Sequence, residues 1–146
     1  MRSRQQGFTL VELVVVIVVL GILAAIAIPR YASYTREARI ASLNGLAGAL
    51  RSSVAMVQSR YVATGQSTSP VTMADGTAVT VGTAGATAGV PLSTAGGIDN
   101  AVNVGGTYVY TAGAATGTWD LPTSIANCNV TYTAATGAAT VNSAGC

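Results

Sequence analysis

The chain has 146 residues, enough for one domain with a modest core. Half of them are hydrophobic and only 8% are charged, against about a quarter in an average globular protein. There is no His and no Lys, and the five acids (Glu12, Glu37, Asp75, Asp99 and Asp120) are scattered, so a composition this poor in acid–base groups and metal ligands argues against an enzyme and calls for no metal or other cofactor.

The net charge of +2 is unevenly spread. All seven bases are Arg, and all lie at or before Arg60. From Tyr61 to the end there are three Asp and no base. A nucleic-acid surface needs clustered Lys or Arg to displace counterions from phosphates. The C-terminal part has none, and no nucleic-acid partner is expected.

In chain order, residues 1–7 (MRSRQQG) are short and carry Arg2 and Arg4. Residues 8–28 follow, an apolar run whose only charge is Glu12. As a helix this run would be about 31 Å long, close to the roughly 30 Å hydrocarbon core of a bilayer. The basic flank before it would stay cytoplasmic. Two ordinary readings apply to such a run. It could be a secretory signal, with Ala25-Ile26-Ala27 as an A-x-A cleavage site. It could also be a plain membrane anchor in which Glu12 is incidental. Glu12 fits neither well, because a carboxylate in a span is expensive.

Past Pro29 the pattern becomes amphipathic. Ile40, Leu43, Ala47, Leu50, Val54, Val57 and Tyr61 recur at spacings of three and four, drawing one apolar stripe on a helix. Arg36, Glu37, Arg39, Arg51 and Arg60 fall off that stripe. One helix is therefore expected from residue 8 to about 61, with a kink at Pro29, which lacks the backbone donor. After residues 64–70 the text turns to Thr, Val, Ala and Gly, the vocabulary of strands and turns. Residues 71–74 and 77–81 flank Asp75-Gly76, a hairpin signal. Residues 107–111, 118–121, 128–133 and 139–142 read as further strands, and the Gly-rich 82–106 as a loop. One antiparallel sheet of about four strands, laid on the stripe, would use all of these pieces. Asn129-Val130-Thr131 matches a glycosylation sequon, which in a strand is read as chance. Tyr31, Tyr34 and Tyr61 are read as packing residues rather than electron carriers.

The two cysteines, Cys128 and Cys146, have no His or third Cys to complete a metal shell. They form a disulfide if the chain is exported and stay as thiols in a reducing cytosol. The apolar N-terminal segment favours export.

Gly7-Phe8-Thr9-Leu10-Val11-Glu12-Leu13 followed by an apolar run resembles the processing site of type IV prepilins, and of the pseudopilins and competence filaments related to them. The further run from Gly21 to Pro29 fits as well, and the close resemblance covers residues 7–40. It implies that a prepilin peptidase cuts between Gly7 and Phe8 and methylates the Phe8 amine. It implies an assembly role for Glu12, meeting the Phe8 amine of a neighbouring subunit. It also implies a deformable helix between Gly21 and Pro29, and a disulfide from Cys128 to Cys146 closing the end of the domain. The alternative for Glu12 is that it only satisfies free N–H groups of its own helix. Residues 38–50 are also similar to pilins of the mannose-sensitive haemagglutinin type.

The fold class implied is α+β, a long N-terminal helix packed against a small antiparallel sheet. Its parts are a cleaved leader (1–7), a transmembrane and filament-core helix (8–29), an amphipathic continuation (30–61) and a β-rich domain (62–146). The function implied is a homo-oligomeric structural subunit of an extracellular type IV pilus. It would be held first in the inner membrane, with the peptidase and the inner-membrane assembly machinery as partners. The alternatives are a secretion pseudopilin, or a minor tip pilin acting in adhesion or DNA uptake.

Overall fold

The computed structural model of the chain describes residues 7–65 and 68–146. Residues 1–6 of the expected leader, with Arg2 and Arg4, lie outside the described residues. Helix α1 spans Leu10–Ala63, 54 residues, and passes Gly21 and Pro29 without interruption. Its Val- and Ile-rich first half has modest intrinsic helix propensity. In lipid, however, a helix satisfies every backbone group within the segment, and an isolated strand does not.

The chain divides into two compact units inside α1. One ends at Ala38 and the other is Arg39–Cys146. In the first, the apolar side chains are exposed all round the helix, from 43% at Val14 to 77% at Leu10. By length and composition, this helix is able to cross a membrane.

In the second unit the stripe becomes the core. Leu43, Ala47, Leu50, Val54, Val57 and Tyr61 are buried as the spacing predicts, and Leu46 and Ser53 join them. Ile40, the first member of the stripe, is only half-buried. Strands β1 (Val71–Thr72) and β2 (Ala78–Val79) form the hairpin around Asp75-Gly76. The Thr77 N–H donates to Asp75 Oδ1 at 2.9 Å, which holds that exposed carboxyl below its usual range. Strands β3 (Val109–Thr111), β4 (Thr116–Asp120), β5 (Asn129–Thr133) and β6 (Ala138–Asn142) follow as an antiparallel meander in the order β3-β4-β5-β6. Trp119 pairs with Val130, and Val130 with Val141. Alternate residues point inward, so Trp119, Val130, Tyr132 and Ala139 pack in one cluster with Leu43, Leu46, Ala47, Leu50 and Val54.

The single sheet expected from the sequence is therefore corrected to two. The β1–β2 hairpin packs with Val57 and Tyr61 in a separate cluster, near the end of α1. The four-stranded sheet takes the earlier turns of the stripe. A stripe about five turns long is longer than one small sheet covers, and it serves both.

The Gly-rich stretch expected as a loop contains a 3-10 turn at Gly85–Thr87 and a short helix, α2 (Ile98–Ala101). Its middle, including Val90, Pro91, Ser93 and Ile98, is buried, so backbone groups there need partners. Tyr132 Oη donates to Pro91 O at 2.7 Å, Tyr110 Oη to Ser93 O at 2.6 Å, and Ser93 Oγ to Gly113 O at 2.8 Å. Tyr110 also lies on Trp119, with ring centroids 4.2 Å apart. It does so across Gly117, where a Cβ would come within 2.6 Å of Tyr110 Cε2.

α1 is bound to the strands through polar contacts as well. Arg51 Nη2 donates to Ala139 O at 2.6 Å on the edge strand β6, and Arg60 Nε to Thr72 O at 3.1 Å on β1. Tyr108 Oη reaches Ser42 O at 3.1 Å. Asn129 begins β5 and its Nδ2 donates to Asp120 Oδ1 at 3.2 Å, so the side chain of the sequon is already engaged.

Candidate processing and assembly site

The start of α1 is built by Thr9. Its carbonyl accepts the first helical bond, from the Leu13 N–H at 3.3 Å, which makes Thr9 the N-cap. Its hydroxyl accepts the Glu12 N–H at 3.3 Å. In return, Glu12 Oε2 accepts the Thr9 N–H and the Thr9 hydroxyl, both at 2.8 Å. This reciprocal arrangement is a capping box, in which two otherwise unsatisfied backbone donors find partners. The carboxylate also sits at the positive end of the helix. The reading of Glu12 as a partner to its own helix therefore holds in the isolated chain. The T-x-x-E spacing ahead of an apolar run is its signature in the sequence.

Gly7 and Phe8 precede the cap. Phe8 is 87% exposed, and no other atom crowds the position of a Cβ on Gly7. Gly7, Phe8, Thr9 and Glu12 thus fall together at one exposed helix start. Gly21 and Pro29 lie further along the same helix, with open space around Gly21. Cys128 and Cys146 lie in the other unit. They are disulfide-bonded with Cα atoms 4.9 Å apart, and Cys128 is fully buried in the main cluster. Among the described residues no group of three or more acidic, Cys or His side chains comes together.

The exposed cap and apolar helix coincide with the region that known proteins share. Residues 2–28 match the prokaryotic N-terminal methylation motif. The chain is also similar to the type IV narrow pilus major component PilA5 of Thermus thermophilus. The two are 36% identical over 63 residues, which is 42% of this chain and 54% of the relative. The chain thus spans about half the length of the curated relative it matches. No solved structure matches. The long apolar helix, its methylation motif and the small antiparallel sheet define a pilin-like α+β protein. Over the matched residues, the chain is similar to type IV pilins.

Proposed function

We propose that the chain is the precursor of a structural, non-enzymatic subunit of a type IV pilus. A prepilin peptidase cuts it between Gly7 and Phe8 and methylates the new Phe8 amine. The mature chain waits in the inner membrane by its apolar helix, and the inner-membrane assembly machinery then packs copies of that helix into an extracellular fibre. The observation that carries this reading is the apolar run of α1, exposed on every side and starting at a capped carboxylate within the methylation motif. The relative's description as a pilus major component favours a pilus over a secretion pseudopilin.

Glu12 has two roles in this scheme, and their magnitudes separate them. An N-cap contributes about 1 kcal/mol. A carboxylate inside an apolar span costs about 2.5–3.5 kcal/mol. Capping alone leaves much of that cost standing. The Phe8 amine of a neighbouring subunit offsets the rest, and an unpaired carboxylate penalises wrong register more than the pair adds to stability. Glu12→Ala should therefore be inserted and cleaved yet fail to enter fibres. The assay compares sheared surface fibres with processed subunit left in the membrane. Normal fibre yield from Glu12→Ala would reduce Glu12 to its cap. Gly7→Val, by placing a branched side chain beside the cut, should leave uncut precursor and no fibres.

A further inference from the structure

Beyond Ile28 the surface of α1 changes from apolar, Glu12 excepted, to a short mixed stretch. Tyr31 and Tyr34 are 72% and 61% exposed, and Arg30 and Arg36 are exposed beside them. At about 100° per residue, Tyr34 lies roughly 40° and Tyr31 roughly 100° round from Arg30, with Arg36 about 120° the other way. The four are spread round the helix, like the apolar side chains before them. A single protein partner takes one face of a helix, whereas lipid takes every face.

The dimensions agree with lipid. The run from Phe8 to Ile28 rises about 30 Å, the thickness of the hydrocarbon core. Arg30 to Arg36 rises about 9 Å more, close to the roughly 5–8 Å of one headgroup layer. Tyr suits that layer because its ring is apolar and its hydroxyl is wet. The guanidinium matches phosphate oxygens two at a time. Residues 30–39 hold three Arg against the single acid Glu37, a balance of +2.

We propose that Arg30, Tyr31, Tyr34 and Arg36 form a collar that binds phospholipid headgroups at the end of the span opposite the leader, preferring anionic ones. The collar fixes the depth of the unassembled subunit, and it rests on the membrane-anchor step proposed above. Each Arg near an anionic surface strengthens association about fivefold, so the two together favour an anionic lipid neighbour by roughly 25-fold at low salt.

The test uses the full chain, unassembled, in phosphatidylcholine vesicles. These carry either brominated phosphatidylcholine or brominated phosphatidylglycerol in equal proportion. Tyr34→Trp reports on the collar and Leu20→Trp on mid-span, after subtraction of the wild-type Trp119 signal. The Tyr34→Trp indole should be quenched most by bromines near the headgroup, and the Leu20→Trp indole by bromines deep in the chains. Brominated phosphatidylglycerol should quench Tyr34→Trp more than brominated phosphatidylcholine does. Adding Arg30→Gln and Arg36→Gln should abolish that preference while leaving the Leu20→Trp depth unchanged. Equal quenching by the two lipids, or a preference that survives the double Gln change, overturns the collar. So does a Tyr34→Trp indole that no bromine quenches, which would point to packing on sister helices. An unquenched Leu20→Trp indole overturns the membrane anchor itself, and the collar with it. Fibre formation does not enter any of these readings.

Discussion

Replacing Cys146 by Ser opens the loop that ends the chain, and the cost follows from its length. The bridge joins residues 18 apart in sequence. In the chain-entropy model, closing a loop of this size lowers the entropy of the unfolded chain enough to stabilise the fold by about 3 kcal/mol. Cys128 is fully buried, but its freed thiol behaves as a small hydrophobe and adds little further cost. Cys128→Ser is different, because it also buries a hydroxyl in the main cluster, worth about 1–3 kcal/mol if unpaired. Its total is about 4–6 kcal/mol, so Cys128→Ser should be the worse of the two. The assay is thermal unfolding of the full chain in detergent, followed by Trp119 fluorescence, because Trp119 lies in the same buried cluster as Cys128. At this size about 4 °C is lost per kcal/mol, so Cys146→Ser should lower Tm by roughly 12 °C. Reduced wild type should match it. A Tm within a few degrees of wild type, with the wild-type bridge verified by thiol titration, would refute the reasoning.

Three other perturbations are read by related measurements. Gly117→Ala drives a methyl group into the Tyr110 ring, displacing it from Trp119 and from Ser93 O. The cost should be about 1–3 kcal/mol in the same unfolding assay. The Tyr110 phenol is pushed up to about 12, by burial first and then by the charge of Asp99, and Tyr132 is raised by burial and by Tyr110. Both hold their protons in the fold above the pH at which an unfolded tyrosine ionises, about 10. Their stabilising contribution is therefore complete below about pH 10, and that of Tyr110 is lost as pH rises through about 12, so rapid alkaline unfolding titrations should show stability declining from about pH 10 upward. Thr9→Ala removes the hydroxyl half of the capping box at a cost of about 1 kcal/mol, and the first-turn amides should exchange about fivefold faster in detergent.

The parts of the fold most legible in the sequence are those where one physical requirement dominates. A run of 21 residues with one charge can satisfy its backbone in lipid only as a helix, and the three-and-four spacing of Leu43 to Tyr61 leaves one face to bury. Asp75-Gly76 announces its hairpin because the turn demands a positive φ, which Gly76 adopts at +87°. The division into two sheets was not legible, because strand text gives no indication of which turns of the helix each strand covers. Nor does the Gly-rich 82–106 reveal its burial, since the partners that satisfy it, Tyr110 and Tyr132, lie on distant strands. At the proposed processing site, Gly7, Phe8 and Glu12 stand out in the sequence through the motif. The Thr9–Glu12 capping box was legible from its spacing too, but it is masked when Glu12 is weighed only as a charge in a membrane.

Mass spectrometry of fibres sheared from the cell surface tests the central claim most directly. The account predicts a subunit that begins at an N-methylated Phe8, has 139 residues (146 less the seven of the leader), and carries Cys128 and Cys146 bridged. A secreted chain beginning at Ile28, after Ala25-Ile26-Ala27, would contradict it. So would surface fibres that lack this chain while uncut precursor accumulates in the membrane.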